Sequence, residues 1–171
     1  MKFALLAAAA LLAAGSAQAD SHMEKPASIQ GELKNGTGQV IGQAKAAQGP
    51  KGVLIRIDAK GLTPGWHGLH LHAKGDCSKP DFISAGPHVH GGASGAVHGL
   101  MNPKANEAGD LPNLHVGADG TGAAEIFTTL TSIAALKDAD GSAVVIHATV
   151  DDHMTQPIGG SGARVACAAL K

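Results

Sequence analysis

The chain has no tyrosine, one tryptophan and three phenylalanines in 171 residues. So few aromatics leave no series of rings on which nucleobases could stack. No run of lysine or arginine is present, and a formal net charge of −1 offers a polyanion no footprint. Nucleic acid is therefore excluded as a partner. Cysteine is confined to Cys77 and Cys167, with no Cys-x-x-Cys pair. No apolar run reaches the ~20 residues that a membrane-spanning helix needs. Internal repeats, coiled-coil heptads and a phosphate-cradling glycine loop are absent too.

The chain is rich instead in glycine (24 residues) and histidine (10 residues). Its first 19 residues read as a signal peptide: Lys2, an apolar stretch from Phe3 to Ala14, and Ala17-Gln18-Ala19 before Asp20. An exported protein, carried to the periplasm, is the expectation. Residues 20–26, with His22 and Met23, read as a tail, and 27–171 as one domain large enough for a real core. In an exported chain, two cysteines favour one disulfide, worth about 4–5 kcal/mol in the chain-entropy model for so long a loop. The alternative is a pair of thiolate metal ligands.

Short apolar runs among many glycines predict an all-β domain. Ala27–Lys34 and Gln39–Ala46 flank Asn35-Gly36-Thr37-Gly38, a hairpin turn signature. Gly52–Lys60 is the clearest strand, with Val53, Ile55 and Ile57 on one face. Further strands are expected near Pro112–Gly117, Gly122–Thr129, Ser142–Val150 and Ala163–Leu170. Leu130–Gly141 suits a short helix or a crossover loop. Residues 75–111 show no sustained periodicity, and a loop of that length in a compact domain needs a function to account for it.

The chemistry begins at Trp66-His67-Gly68-Leu69-His70-Leu71-His72. Alternation along a strand puts His70 and His72 on one face, which is half of a metal site. Imidazole suits copper, zinc and iron. His88, His90, His98 and Asp110 lie in the long loop, and imidazoles with one carboxylate are a normal zinc set. His147, in the apolar run Val144-Val145-Ile146, would alone suit a core histidine. Across a barrel mouth from His70 and His72 it becomes a third ligand.

Together with Gly75-Asp76-Cys77, Ser84-Ala85-Gly86-Pro87-His88, Gly109-Asp110-Leu111-Pro112, Asp151-Asp152 and Gly159-Gly160-Ser161-Gly162-Ala163-Arg164-Val165-Ala166-Cys167, this pattern resembles the bacterial periplasmic copper/zinc superoxide dismutases. The motifs occur in family order. The resemblance implies a Greek-key β-barrel or sandwich of about eight strands, with active-site loops at Gly75–Leu111 and Asp151–Gly160. It implies copper held by His70, His72, His88 and His147, with His88 shared with zinc and delivering a proton to the product. His98 and Asp110 would complete part of the zinc site. Arg164 would guide superoxide, and Cys77 and Cys167 would be the disulfide. His67 and Asp151 or Asp152 would orient ligand rings.

One position departs from the family: Glu107 stands where a third zinc-side histidine is usual. A carboxylate can bind zinc, so His88, His98, Glu107 and Asp110 remain a workable set. The alternatives are His90 in its place, or a weak zinc site. His115 and His153 match no ligand position and are expected to be exposed. The resemblance implies an enzyme, either monomer or homodimer, acting on superoxide as a small-molecule substrate without a membrane. An exported copper-buffering protein is the alternative, supported by Glu107 and by His22, His90, His115 and His153. A third is a structural domain on the same barrel without chemistry.

Overall fold

The computed structural model describes residues 25–90 and 95–171. The signal peptide expected over residues 1–19, and His22 and Met23, lie outside these. Nine strands form one antiparallel sheet: β1 (Ser28–Asn35), β2 (Val40–Gly49), β3 (Gly52–Ala59), β4 (Gly65–His67), β5 (Leu69–His72), β6 (Leu114–Val116), β7 (Gly122–Thr128), β8 (Ser142–His147) and β9 (Arg164–Leu170). Their order is β4-β6-β7-β3-β2-β1-β9-β8-β5. The hairpin β1–β2 forms where expected. Asn35 Oδ1 accepts from the backbone N–H groups of Thr37 and Gln39, which pins the turn. The stretch Leu130–Gly141 contains a single helical turn, α1 (Ile133–Leu136), capped by Ser132.

The two edge strands of this sheet, β4 and β5, are consecutive in the chain and separated only by Gly68. One interrupted strand thus pairs with β6 on one side and β8 on the other, rolling the sheet into a nearly closed barrel. Counting it once leaves eight strands. Gly68 holds the corner: its N–H donates to Thr149 O at 2.8 Å and its carbonyl accepts from His147 N–H at 2.8 Å. A Cβ there would lie 2.5 Å from Ser161 Cβ, so the corner admits only glycine.

Leu69 and Leu71 of β5 and Val144 and Ile146 of β8 point into the barrel. There they meet Ile29, Leu33, Val53, Ile55, Ile57 and other aliphatics. No aromatic ring belongs to this core; Trp66 and Phe127 are exposed. The opposite face of β8 and β9 is covered as well. Ala143, Val145 and Cys167 pack against Phe82 and Ala85 of the long loop. All six residues of β8 and all four of β5 are consequently buried, which is why β8 reads as a continuous apolar run rather than an alternating one.

The long loop contains one short 3-10 turn, Ile83–Ala85, and is otherwise irregular among its described residues. It is tied to the barrel in three ways. The disulfide Cys77–Cys167 joins it to β9 across 90 residues. Arg164 of β9 donates to Phe82 O and Gly86 O at 2.7 and 2.8 Å. Backbone bonds then lay two passes of the loop against β5: Leu71 N–H to Gly109 O, and Val89 N–H to Leu71 O, each 2.8 Å. Gly109 allows this approach, since a Cβ on it would meet Leu71 O at 2.3 Å.

Gly68→Ala should force the corner apart and destabilise the fold by about 1–3 kcal/mol, as overpacking does. Denaturant unfolding checks this; an unchanged midpoint would show that the corner yields without strain.

Candidate metal centre

Alternation along β5 sends His70 and His72 away from the barrel core, onto the face that the long loop covers. His147 ends β8 beside them. His88 arrives through backbone pairing opposite His72, and Asp110 opposite His70. The site is therefore assembled by the same ladder that orders the loop.

One donor atom from each of His70, His72, His88 and His147 lies within 4.8 Å of the other three. All four rings are buried. In each, one nitrogen has a partner. His70 Nε2 donates to Asp151 Oδ2 at 2.7 Å, His72 Nδ1 to Gly86 O at 2.8 Å, and His147 Nδ1 to Gly162 O at 3.0 Å. His88 Nδ1 lies 2.7 Å from Glu107 Oε2. The other nitrogens, His70 Nδ1, His72 Nε2, His88 Nε2 and His147 Nε2, are buried without any partner. Four orphaned imidazole nitrogens, each fixed by a bond on the far side of its ring, fit a metal that accepts nitrogen ligands.

A second group comprises His70, His88, His98 and Asp110. His70 belongs to the first quartet by its orphaned Nδ1; Glu107 stands outside this group but contacts His88 and His98. Asp110 Oδ1 lies 2.7 Å from His98 Nδ1 and 3.4 Å from His88 Nδ1. Glu107 Oε2 lies 2.7 Å from His88 Nδ1 and 3.3 Å from His98 Nδ1. Two imidazoles and two carboxylates are a donor set that zinc accepts, and these separations of 2.7–3.4 Å lie around the roughly 3.3 Å between ligands of a tetrahedral ion. His90, 38% exposed, reaches only the other oxygen of Glu107, at 3.7 Å.

Asp151 links the two groups, with Oδ2 on His70 Nε2 and Oδ1 on His98 Nε2 at 3.1 Å. Of the two aspartates left open by sequence, Asp151 is the buried one; Asp152 is exposed and caps its own turn. His67 is buried with Nδ1 2.6 Å from His147 O and Nε2 2.8 Å from Thr63 O, holding the backbone that carries His147. His115 is exposed as expected, stacked edge-on to Trp66. His153 is not: its side chain is only 20% exposed, and Nε2 lies 3.1 Å from Asn113 Nδ2.

Two amides that carried no sequence signal also serve the site. Asn113 grips the backbone of Asp151, donating to its carbonyl at 2.8 Å and accepting from its N–H at 2.9 Å. Gln156 grips His98 in the same fashion. A lone Asn or Gln in a polar loop looks like any other, so only the fold reveals them.

The electrostatics of the two groups are opposite. Burial lowers the pKa of His70 to about 4, of His72 to about 2 and of His147 to about 3, so these rings are neutral at pH 7. Burial also opposes charge on His98, but hydrogen bonds to Asp110, Asp151 and Glu107 prevail and raise it to about 11. His88 is raised in the same way by Asp110 and Glu107. Although burial works against them, these contacts hold Glu107, Asp110 and Asp151 below the usual carboxylate range.

The family described as copper/zinc superoxide dismutase matches residues 37–170. A Cu-Zn superoxide dismutase of Caulobacter vibrioides is 54% identical over 145 residues, covering 81% of this chain and 83% of its own. The solved structure of a double mutant of a SOD-like protein from Bacillus subtilis superposes with a TM-score of 0.77 at 41% identity, covering 82% of this chain and 95% of that one. The Cu/Zn superoxide dismutase from Brucella abortus gives 0.71 at 26% identity, covering 85% and 100%. With the barrel, the histidine clusters and these likenesses in agreement, the chain belongs to the copper/zinc superoxide dismutase family.

Proposed function

We propose that this protein dismutates superoxide at a copper centre held by His70, His72, His88 and His147. Beside it, His88, His98, Glu107 and Asp110 hold zinc. The observation that carries this reading is the quartet of buried, unpartnered ring nitrogens, each fixed from behind. Copper bound there supplies the one-electron couple by which one superoxide is oxidised to oxygen and a second, with two protons, is reduced to hydrogen peroxide.

The chain's own residues bring in the anion and the proton. Arg164 is a half-buried cation whose guanidinium is held by Phe82 O and Gly86 O. Burial lowers its pKa, yet arginine does not deprotonate in proteins. It lies close enough to His72 and His147 to disfavour their protonation. A fixed cation at this position draws in a small anion and docks it; superoxide dismutases are the standard example of such steering. His88 Nε2 faces the quartet while Nδ1 is engaged by Glu107, and we assign proton delivery to His88 Nε2. Glu107 then acts as the carboxylate counterpart of the family's third zinc-side histidine. Export to the periplasm through residues 1–19 belongs to this proposal and rests on the sequence of that segment.

The direct test is the superoxide-removal rate of the protein loaded with copper alone and with copper plus zinc. A rate near the diffusional ceiling of about 10⁸–10⁹ M⁻¹s⁻¹ is expected, a range in which superoxide dismutases are already established. Tight stoichiometric copper binding without turnover would instead identify a copper-buffering protein.

Arg164→Ile should slow the reaction several-fold and flatten its salt dependence, while Arg164→Lys should keep most of the salt slope. Rates measured across an ionic-strength series separate these outcomes; an unchanged slope in Arg164→Ile would remove the steering role.

Zinc and copper should also differ in proton linkage. With His98 raised to about 11, zinc binding to the metal-free protein at pH 7 must displace its proton. His88, also raised, must give up its proton to the same ion, so between about one and two protons should be released per zinc, and affinity should rise with pH. His70, His72 and His147 bind copper without such release above about pH 5. The unfolded chain takes up these three histidines' protons first, so their share of metal-free stability falls as pH drops from 6.5 toward 4. Calorimetric titrations in two buffers of different ionisation enthalpy measure the proton count directly.

A further inference from the structure

We propose that Gln156 is a positioning residue for the second metal position, acting through the backbone of His98; this rests on the zinc reading above. His98 is completely buried, yet it lies in a stretch of the long loop with no ladder partner for its peptide groups. Gln156 supplies both partners. Its Oε1 accepts from His98 N–H at 2.9 Å, and its Nε2 donates to His98 O at 2.8 Å. Nε2 also donates to Met154 O at 3.0 Å, so only one orientation of the amide satisfies all three groups. Asn102 adds a weaker bond to His98 O at 3.2 Å.

This arrangement is specific because of where Gln156 comes from. The same short loop carries Asp151, whose Oδ1 meets His98 Nε2. One segment therefore holds His98 twice, by its ring and by its backbone, and leaves Nδ1 facing Glu107 and Asp110. The turn between the two contacts is braced by Asp152, which accepts from the N–H groups of Met154 and Thr155 and from Thr155 Oγ1. Asn113 fixes Asp151 by a matching two-point grip. The metal-binding histidine is thus placed by a loop that contributes no ligand of its own, and Gln156 transmits that placement.

Zinc affinity of the copper-loaded protein, measured against a competing chelator, tests this. The visible spectrum of cobalt in the second position reports the geometry. Gln156→Met keeps the length and loses both bonds; it should weaken zinc binding about 10- to 100-fold, the usual effect of losing a ligand-orienting partner. It should alter the cobalt spectrum and leave copper affinity unchanged. Gln156→Glu, similar in size and polar, should also weaken zinc, because an oxygen then faces His98 O; it keeps the test open should the Met variant not fold. Met154→Leu, which changes only an exposed side chain of the same loop, should bind zinc normally. Zinc affinity and a cobalt spectrum like those of the unaltered protein in both Gln156 variants would overturn the inference, as would an equal loss in Met154→Leu. If the unaltered protein holds no second metal, the zinc reading itself falls, and the inference falls with it.

Discussion

His70, His72, His88 and His147 each bury one imidazole nitrogen without a protein partner, and a buried polar atom left unsatisfied costs about 1–3 kcal/mol. Much of the architecture outside the barrel core answers that constraint. The rings must be turned inward and shielded from water, three of them are kept neutral, and each feature has an identifiable source. Burial keeps His70, His72 and His147 neutral. Bonds to Asp151, Gly86 and Gly162 fix the outer nitrogens, and the long loop provides the cover.

That cover is itself held by the barrel. Phe82, the one buried phenylalanine among the described residues, seats the loop on Val145 and Cys167 rather than filling the core. The disulfide and Arg164 anchor the same part of the loop to β9. Arg164 thus has two duties, as a bracket for Phe82 and Gly86 and as a cation beside the histidine quartet. Removing it would disturb loop and charge together, so the lysine variant is the informative comparison.

The second cluster relies on opposite physics. Three carboxylates surround His98, and their pull outweighs its burial. Glu107 increases the negative charge where an imidazole is usual in the family, and its side chain is 7% exposed. The two clusters share His88 and are joined by Asp151, so a neutral nitrogen pocket and an acidic one lie side by side.

Composition and short-range pattern were enough to establish the β class, the hairpin at Asn35, the face of Val53, Ile55 and Ile57, and the pairing of His70 with His72. These are local properties of alternation and turn chemistry, readable without knowing what lies opposite. Motif order further identified His88, His98, His147, Asp110, Arg164 and the two cysteines as a set. What the sequence left open depends on contacts between distant segments. Asp151 rather than Asp152 faces the histidines, Glu107 rather than His90 reaches His88 and His98, and His153 is covered by Asn113. Asn113 and Gln156 matter only through whose backbone they grip. Gly68 is the corner at which a single strand becomes both edges of the barrel, and Ser161 leaves no room there for a side chain. Local pattern sets which face a residue occupies; only tertiary packing decides what it meets there.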